Sequence, residues 1–151
     1  MKTGIKILTL LLTVLVLTSC SDEKKLAKNL EGLWDISVYQ KSVFMNGNVP
    51  DLDNSDSKEN AGTIEFLENG KGKYNVLYDL GAGTFFDNGD FTWTNGASEV
   101  TLKYGSITET FEVIKNSKDK MELIHMDSDF YFEDSEPGVI YSMEERLVLE
   151  K

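Results

Sequence analysis

The chain has 151 residues and a net charge of −11, from 26 acidic against 15 basic side chains. That balance offers no basic stripe for a phosphate backbone and no polybasic patch for anionic lipid, so nucleic acid is not an expected partner. Two Trp, six Tyr and eight Phe are enough to build a real core or to line a cavity.

The first residues follow the order of a secretory signal. Lys2 and Lys6 make a positive start, and Ile7 to Leu17 is an apolar run broken only by Thr9 and Thr13. That run is shorter than the roughly 17–25 residues a membrane-spanning helix needs and matches the apolar region of a cleaved signal. A buried strand or helix of the fold is the alternative. Leu17-Thr18-Ser19-Cys20 resembles the lipobox of bacterial lipoproteins. The resemblance implies that residues 1–19 are removed and that Cys20 becomes an acylated N-terminus. It leaves no thiol in the folded domain for a disulfide, a thiolate metal site or a nucleophile. Several acyl chains, at about 0.8 kcal/mol per buried CH₂, would anchor the protein to a membrane. Ser21 stands where inner-membrane retention would call for Asp, and Ser21-Asp22-Glu23 is similar to the export signal of some surface lipoproteins. A solvated tether is the plainer reading of those three residues. The location implied is the outer membrane, on its periplasmic side or at the cell surface.

Cleavage would leave 132 residues, one domain's worth, and lower the net charge to −13, since the lost segment carries two lysines and no acid. Residues 20–30 are expected to be the lipidated cysteine and a charged tether, with a short helical turn around Lys25–Leu30. If flexible, that tether spans on the order of 17 Å. Residues 31–151 form the domain. From Leu33 onward the period is two. Trp34, Ile36 and Val38 alternate with Asp35 and Ser37, and Ile64 and Phe66 with Thr63 and Glu65. Further runs are Tyr74/Val76/Tyr78, Phe91/Trp93, Val100/Leu102/Tyr104, Ile107/Phe111/Val113, Met121/Leu123 and a last one from Val139 to Glu150. Such alternation marks half-buried strands. Glu68-Asn69-Gly70, Asn95-Gly96, Gly105 and Asn116-Ser117-Lys118-Asp119 supply turn chemistry between them, and Gly81-Ala82-Gly83 reads as another turn. Asn46–Gly62, NGNVPDLDNSDSKENAG, is too polar for a strand and is expected to be a long loop. The fold expected is all-β: an eight-stranded antiparallel meander closed into a barrel, which removes its edges.

Gly32-Leu33-Trp34, at the entrance to the first strand, resembles the G-x-W motif of lipocalins. TIEFLENGKGKYNV, GDFTWTN and the terminal LVLEK further resemble lipocalin-like domains of bacterial lipoproteins, over roughly residues 31–151. The resemblance implies that Trp34 closes the base of the barrel and that a basic residue near the last strand packs on it. Arg146, the only arginine, is the candidate, although strict alternation with Leu147 and Leu149 turns it outward. No counterpart of the other lipocalin motifs is present.

Chemistry-bearing residues are sparse. Asp51-x-Asp53-x-Ser55 suggests an oxygen site for calcium. However, the sixth and twelfth positions counted from Asp51 are Asp56 and Gly62, where an EF-hand needs Gly and Glu. Asp127, Asp129, Glu133, Asp134 and Glu136 form a second acidic group of the same kind. His125 shares parity with Met121 and Leu123; a lone histidine reads more readily as a structural residue than as a ligand. Glu109 and Glu145 fall in phase with inward neighbours, but buried carboxylates are costly, and a register that leaves them in solvent is preferred. No G-x-S-x-G, H-E-x-x-H or phosphate-binding glycine loop is found. Neither an enzyme, a cofactor nor a metal site is expected. The expectation is a lipid-anchored barrel holding a small, partly apolar ligand among Tyr74, Tyr78, Phe91, Trp93, Tyr104 and His125. The alternative is a filled barrel that presents its surface to an envelope protein or a glycan.

Overall fold

The computed structural model describes residues 21–47, 49–79, 84–130 and 138–151, with side chains at all of these except 78–79, 84–86 and 129–130. Cys20, the signal segment and Glu133, Asp134 and Glu136 lie outside them. Eight strands follow in chain order: β1 (Gly32–Met45), β2 (Val49–Phe66), β3 (Lys71–Asp79), β4 (Thr84–Asn95), β5 (Glu99–Tyr104), β6 (Ile107–Asn116), β7 (Lys120–Phe130) and β8 (Tyr141–Glu150). Each pairs antiparallel with the next, and β8 pairs with β1, so the sheet closes. This is the closed eight-stranded antiparallel barrel that the alternation and turn residues predict.

Residues 21–30 differ from the expected tether. They form a helix, α1, whose Leu26 and Leu30 are fully buried and whose Ala27 packs against the same core. The cause is the four-residue spacing, which puts both leucines on one face. Burying the two leucines contributes on the order of 1.5–3 kcal/mol each. Hydrogen bonds from Asn95 Nδ2 to the Glu23 carbonyl (2.9 Å) and between Asn29 and Asn116 side chains (2.7 Å) hold the helix across the barrel base.

Trp34 sits directly above α1, fully buried, and its Nε1–H donates to the Leu30 carbonyl at 2.6 Å. Around it Ile36, Phe66, Val100, Met121, Leu123 and Leu149 fill the lower barrel. Phe66 meets both Phe91 and Trp93 edge to face, with centroids 5.4 and 5.5 Å apart. The cation over the Trp34 indole is Lys151, at 4.1 Å, whose Nζ also donates to the Glu31 carbonyl at 2.9 Å. Arg146 points outward and pairs with Glu122 on β7, at 2.9 Å from Nε. The cation on the indole is thus one residue beyond β8 and not Arg146, which faces outward as strict alternation with Leu147 and Leu149 requires. Gly32 has φ +113°, a conformation L side chains rarely adopt, at the turn from α1 into β1.

Two further expectations are corrected. Asn46–Gly62 is mostly strand: β2 pairs with β1 from Val49 to Phe66. Main-chain hydrogen bonding to β1 holds the segment although few of its side chains are buried. The irregularity lies at Asp51–Ser55, where Ser55 Oγ accepts from Val43 N–H and donates to the Asp51 carbonyl, and Asp51 holds Asn54. Those bonds occupy the candidate calcium ligand Asp51. Among the described residues no group of three His, Cys, Asp or Glu is placed to hold a metal. The second correction is in β1. A bulge at Ser37 shifts its register against both β2 and β8. Val38 therefore pairs with Val148, and Tyr39, opposite Leu147, takes the inward phase.

Candidate functional site

Above the packed floor the barrel widens into a cavity of about 510 Å³. Its opening follows from the ladders. β4 pairs with β5 only from Thr92 to Asn95, and β5 ends at Tyr104. The stretch of β4 before Thr92 is thus paired on its β3 side alone. Asp87, Asp90, Gly105 and Ile107 line the cavity at this gap, and Ile107 is half exposed, so the gap is a lateral portal.

The apolar part of the lining comes from Ile36, Ile64, Phe91, Leu102, Phe111 and Leu147, all buried. These are inward positions of six different strands. Tyr39, Tyr74, Val76 and Tyr104 form the wall above them. Tyr74 lies across Gly89, its partner on β4. A Cβ at Gly89 would come within 3.0 Å of the Tyr74 ring, so the glycine is what lets the ring fold flat. The Tyr74 and Tyr104 rings face one another at 6.1 Å, tilted by 58°.

The polar part of the wall consists of tyrosine–carboxylate pairs. Tyr39 Oη donates to Glu145 Oε1 at 2.9 Å, Tyr104 Oη donates to Glu109, and Tyr74 Oη donates to Asp87 at 3.3 Å. Both glutamates therefore face the cavity. The expected shift into solvent does not occur, because each has a phenolic donor that offsets its desolvation. Burial raises the Glu109 carboxyl above its ordinary range, and the nearby charge of Glu145 raises it further. His125 opposes these and Asp127 adds to them. Tyr39 is pushed strongly upward, first by burial and then by Glu145.

The sequence-derived aromatic set is partly brought together here. Tyr74, Phe91 and Tyr104 line the cavity. Trp93 does not: it lies in the floor against Phe66, with Nε1–H shared between the Leu67 and Lys71 carbonyls at 3.1 and 3.0 Å. His125 does not line it either. Its Nδ1 bonds the Thr110 carbonyl at 2.9 Å and its ring packs on Phe111 at 5.4 Å. The imidazole bridges β6 and β7 beyond Glu112↔Ile124, where their ladder ends. The Tyr78 side chain lies outside the described ones. Sequence reasoning missed Tyr39, whose inward phase depends on the Ser37 bulge. It also discounted Glu109 and Glu145, although their parity with Phe111 and Leu147 was the available signal.

No protein-family model matches the chain, and no curated protein matches it. Among solved structures it is similar to the bovine lipocalin allergen Bos d 2, at 15% identity and a TM-score of 0.44, over 83% of this chain and 74% of that one. It is also similar to EF1p2_mFAP2b, solved bound to DFHBI, at 12% identity and a TM-score of 0.43, over 85% of this chain and 98% of that one.

Proposed function

We propose that this chain is a lipid-anchored envelope protein whose barrel binds one small, partly apolar molecule. The observation that carries the binding half is the cavity of about 510 Å³, which falls within the roughly 300–1,000 Å³ of small-molecule sites. A filled barrel acting only through its surface would need that space occupied by side chains. The lining fits a ligand with an apolar body, and the tyrosine–carboxylate pairs fit a polar end. In this reading the barrel performs no covalent chemistry.

The anchoring half rests on the Cys20 lipobox, and the outer membrane is the location it supports, with Ser21 rather than Asp following the cysteine. Since residues 21–30 are helical and pack on the barrel base through Leu26 and Leu30, an acylated Cys20 would hold the barrel close to the bilayer instead of at the end of a flexible leash.

Native mass spectrometry of residues 21–151, before and after incubation with a lipid and metabolite extract, tests the binding. A discrete added mass that is lost on denaturation supports it, and a bare protein mass across extracts rejects it. Metabolic labelling with a radioactive fatty acid tests the anchor. Label retained by the Cys20→Ala variant would reject acylation at that residue.

A further inference from the structure

We propose that the ligand is a small amphipathic amine, bound with its apolar body against Phe91, Tyr74 and Leu102 and its protonated nitrogen between Glu109 and Glu145. The proposal rests on the binding function above and narrows it to one ligand class.

The chemistry of the wall decides the class. The phenolic protons of Tyr39 and Tyr104 are already given to Glu145 and Glu109, and that of Tyr74 to Asp87. What remains for an incoming polar group is carboxylate oxygen, an acceptor. No lysine, arginine or histidine lines the cavity among the described residues. Lys41 stands opposite Glu145 in the β1–β8 ladder but does not line the cavity. A fatty acid or other anion would therefore meet repulsion at the polar end with no cation to receive it. An ammonium would meet two carboxylates whose mutual repulsion it relieves, and the faces of Tyr74 and Tyr104, which attract cations. Asp87 at the portal carries the same sign of charge outward along the entry path, which favours the approach of a cation. Asp90 contributes less, since Lys73 is its cross-strand partner on β3.

The test is a calorimetric titration of residues 21–151. These contain every strand, the hydrophobic core and the helix that closes it, and a cooperative melt is recorded first. Three matched probes are used: 1-naphthylmethylamine, 1-naphthylmethanol and 1-naphthoate. The amine is expected to bind at least about tenfold more tightly than the alcohol, the carboxylate to bind more weakly than either, and the Glu109→Gln/Glu145→Gln variant to lose the amine's advantage. A cooperative melt recorded for the same variant separates a lost charge from a lost fold. Equal or tighter binding of the alcohol or the carboxylate overturns the amine proposal and leaves the binding function standing. If no probe binds and no extract component adds mass to the protein, the binding function itself fails.

Discussion

At the scale of single residues, the contrast between Lys151 and Arg146 shows how position along a strand decides a role. Both are cations at the end of the chain, but only Lys151 reaches the indole of Trp34 and the carbonyls at the end of α1. Arg146 makes a half-exposed pair with Glu122, of a kind worth about 0–1 kcal/mol. Lys151→Gln should therefore cost about 1–2 kcal/mol in urea unfolding, from the lost cation–π contact and hydrogen bonds. Arg146→Gln should cost about 0.5 kcal/mol or less, and the reverse order would contradict the assignment. Glu109 gives a second prediction. Its carboxyl is raised in the folded state by burial and by Glu145, with Asp127 adding to the effect and His125 opposing it. A carboxyl raised on folding binds its proton more tightly in the native state, so its stabilising contribution is complete below the ordinary value of 4.5. That contribution disappears as pH rises through the raised value. The melting temperature of the wild type, relative to Glu109→Gln, should accordingly fall as pH increases from below 4.5 to neutrality. A flat difference would mean that Glu109 is solvated.

At the scale of elements, what could be read from the sequence follows from which force holds each one. The strand cores are held by alternating side chains, and alternation is visible in residue types: Val100/Leu102 and Met121/Leu123 are buried as their parity requires. The first half of β2 is held by the main-chain ladder to β1, which leaves no mark on side-chain polarity, so its NGNVPDLDNSDSKENAG reads as loop. The Ser37 bulge is equally silent, and with it the inward turn of Tyr39. For α1 the only signal was Leu26 and Leu30 among charged residues, too short a pattern to distinguish docking from a tether. Because both leucines are fully buried, Leu30→Ala should destabilise the protein by about 2–5 kcal/mol, as for other core truncations. Chemical denaturation reads this directly. A cost below about 0.5 kcal/mol, the usual range for surface substitutions, would show that α1 does not pack on the barrel in solution.

At the scale of the whole molecule, the barrel divides into a packed lower half, floored by Trp34, Phe66 and Trp93, and an open upper half bounded by Tyr39, Tyr74, Glu109 and Glu145. The lower half together with α1 supplies stability, which frees the upper half to leave space unfilled. The barrel architecture was legible because closure is the usual fate of a long antiparallel meander. Whether its interior was filled was not, since that depends on where the ladders stop, above all on the early end of β5. Val76 lines the unfilled volume and is only partly buried, so Val76→Trp should occupy the space with little strain. The decisive measurement is native mass spectrometry of wild type and Val76→Trp after incubation with the same extract. An added mass on the wild type that is absent from a variant with an undiminished melting temperature is the predicted result. The same added mass on both proteins would place the ligand outside the cavity and contradict the account.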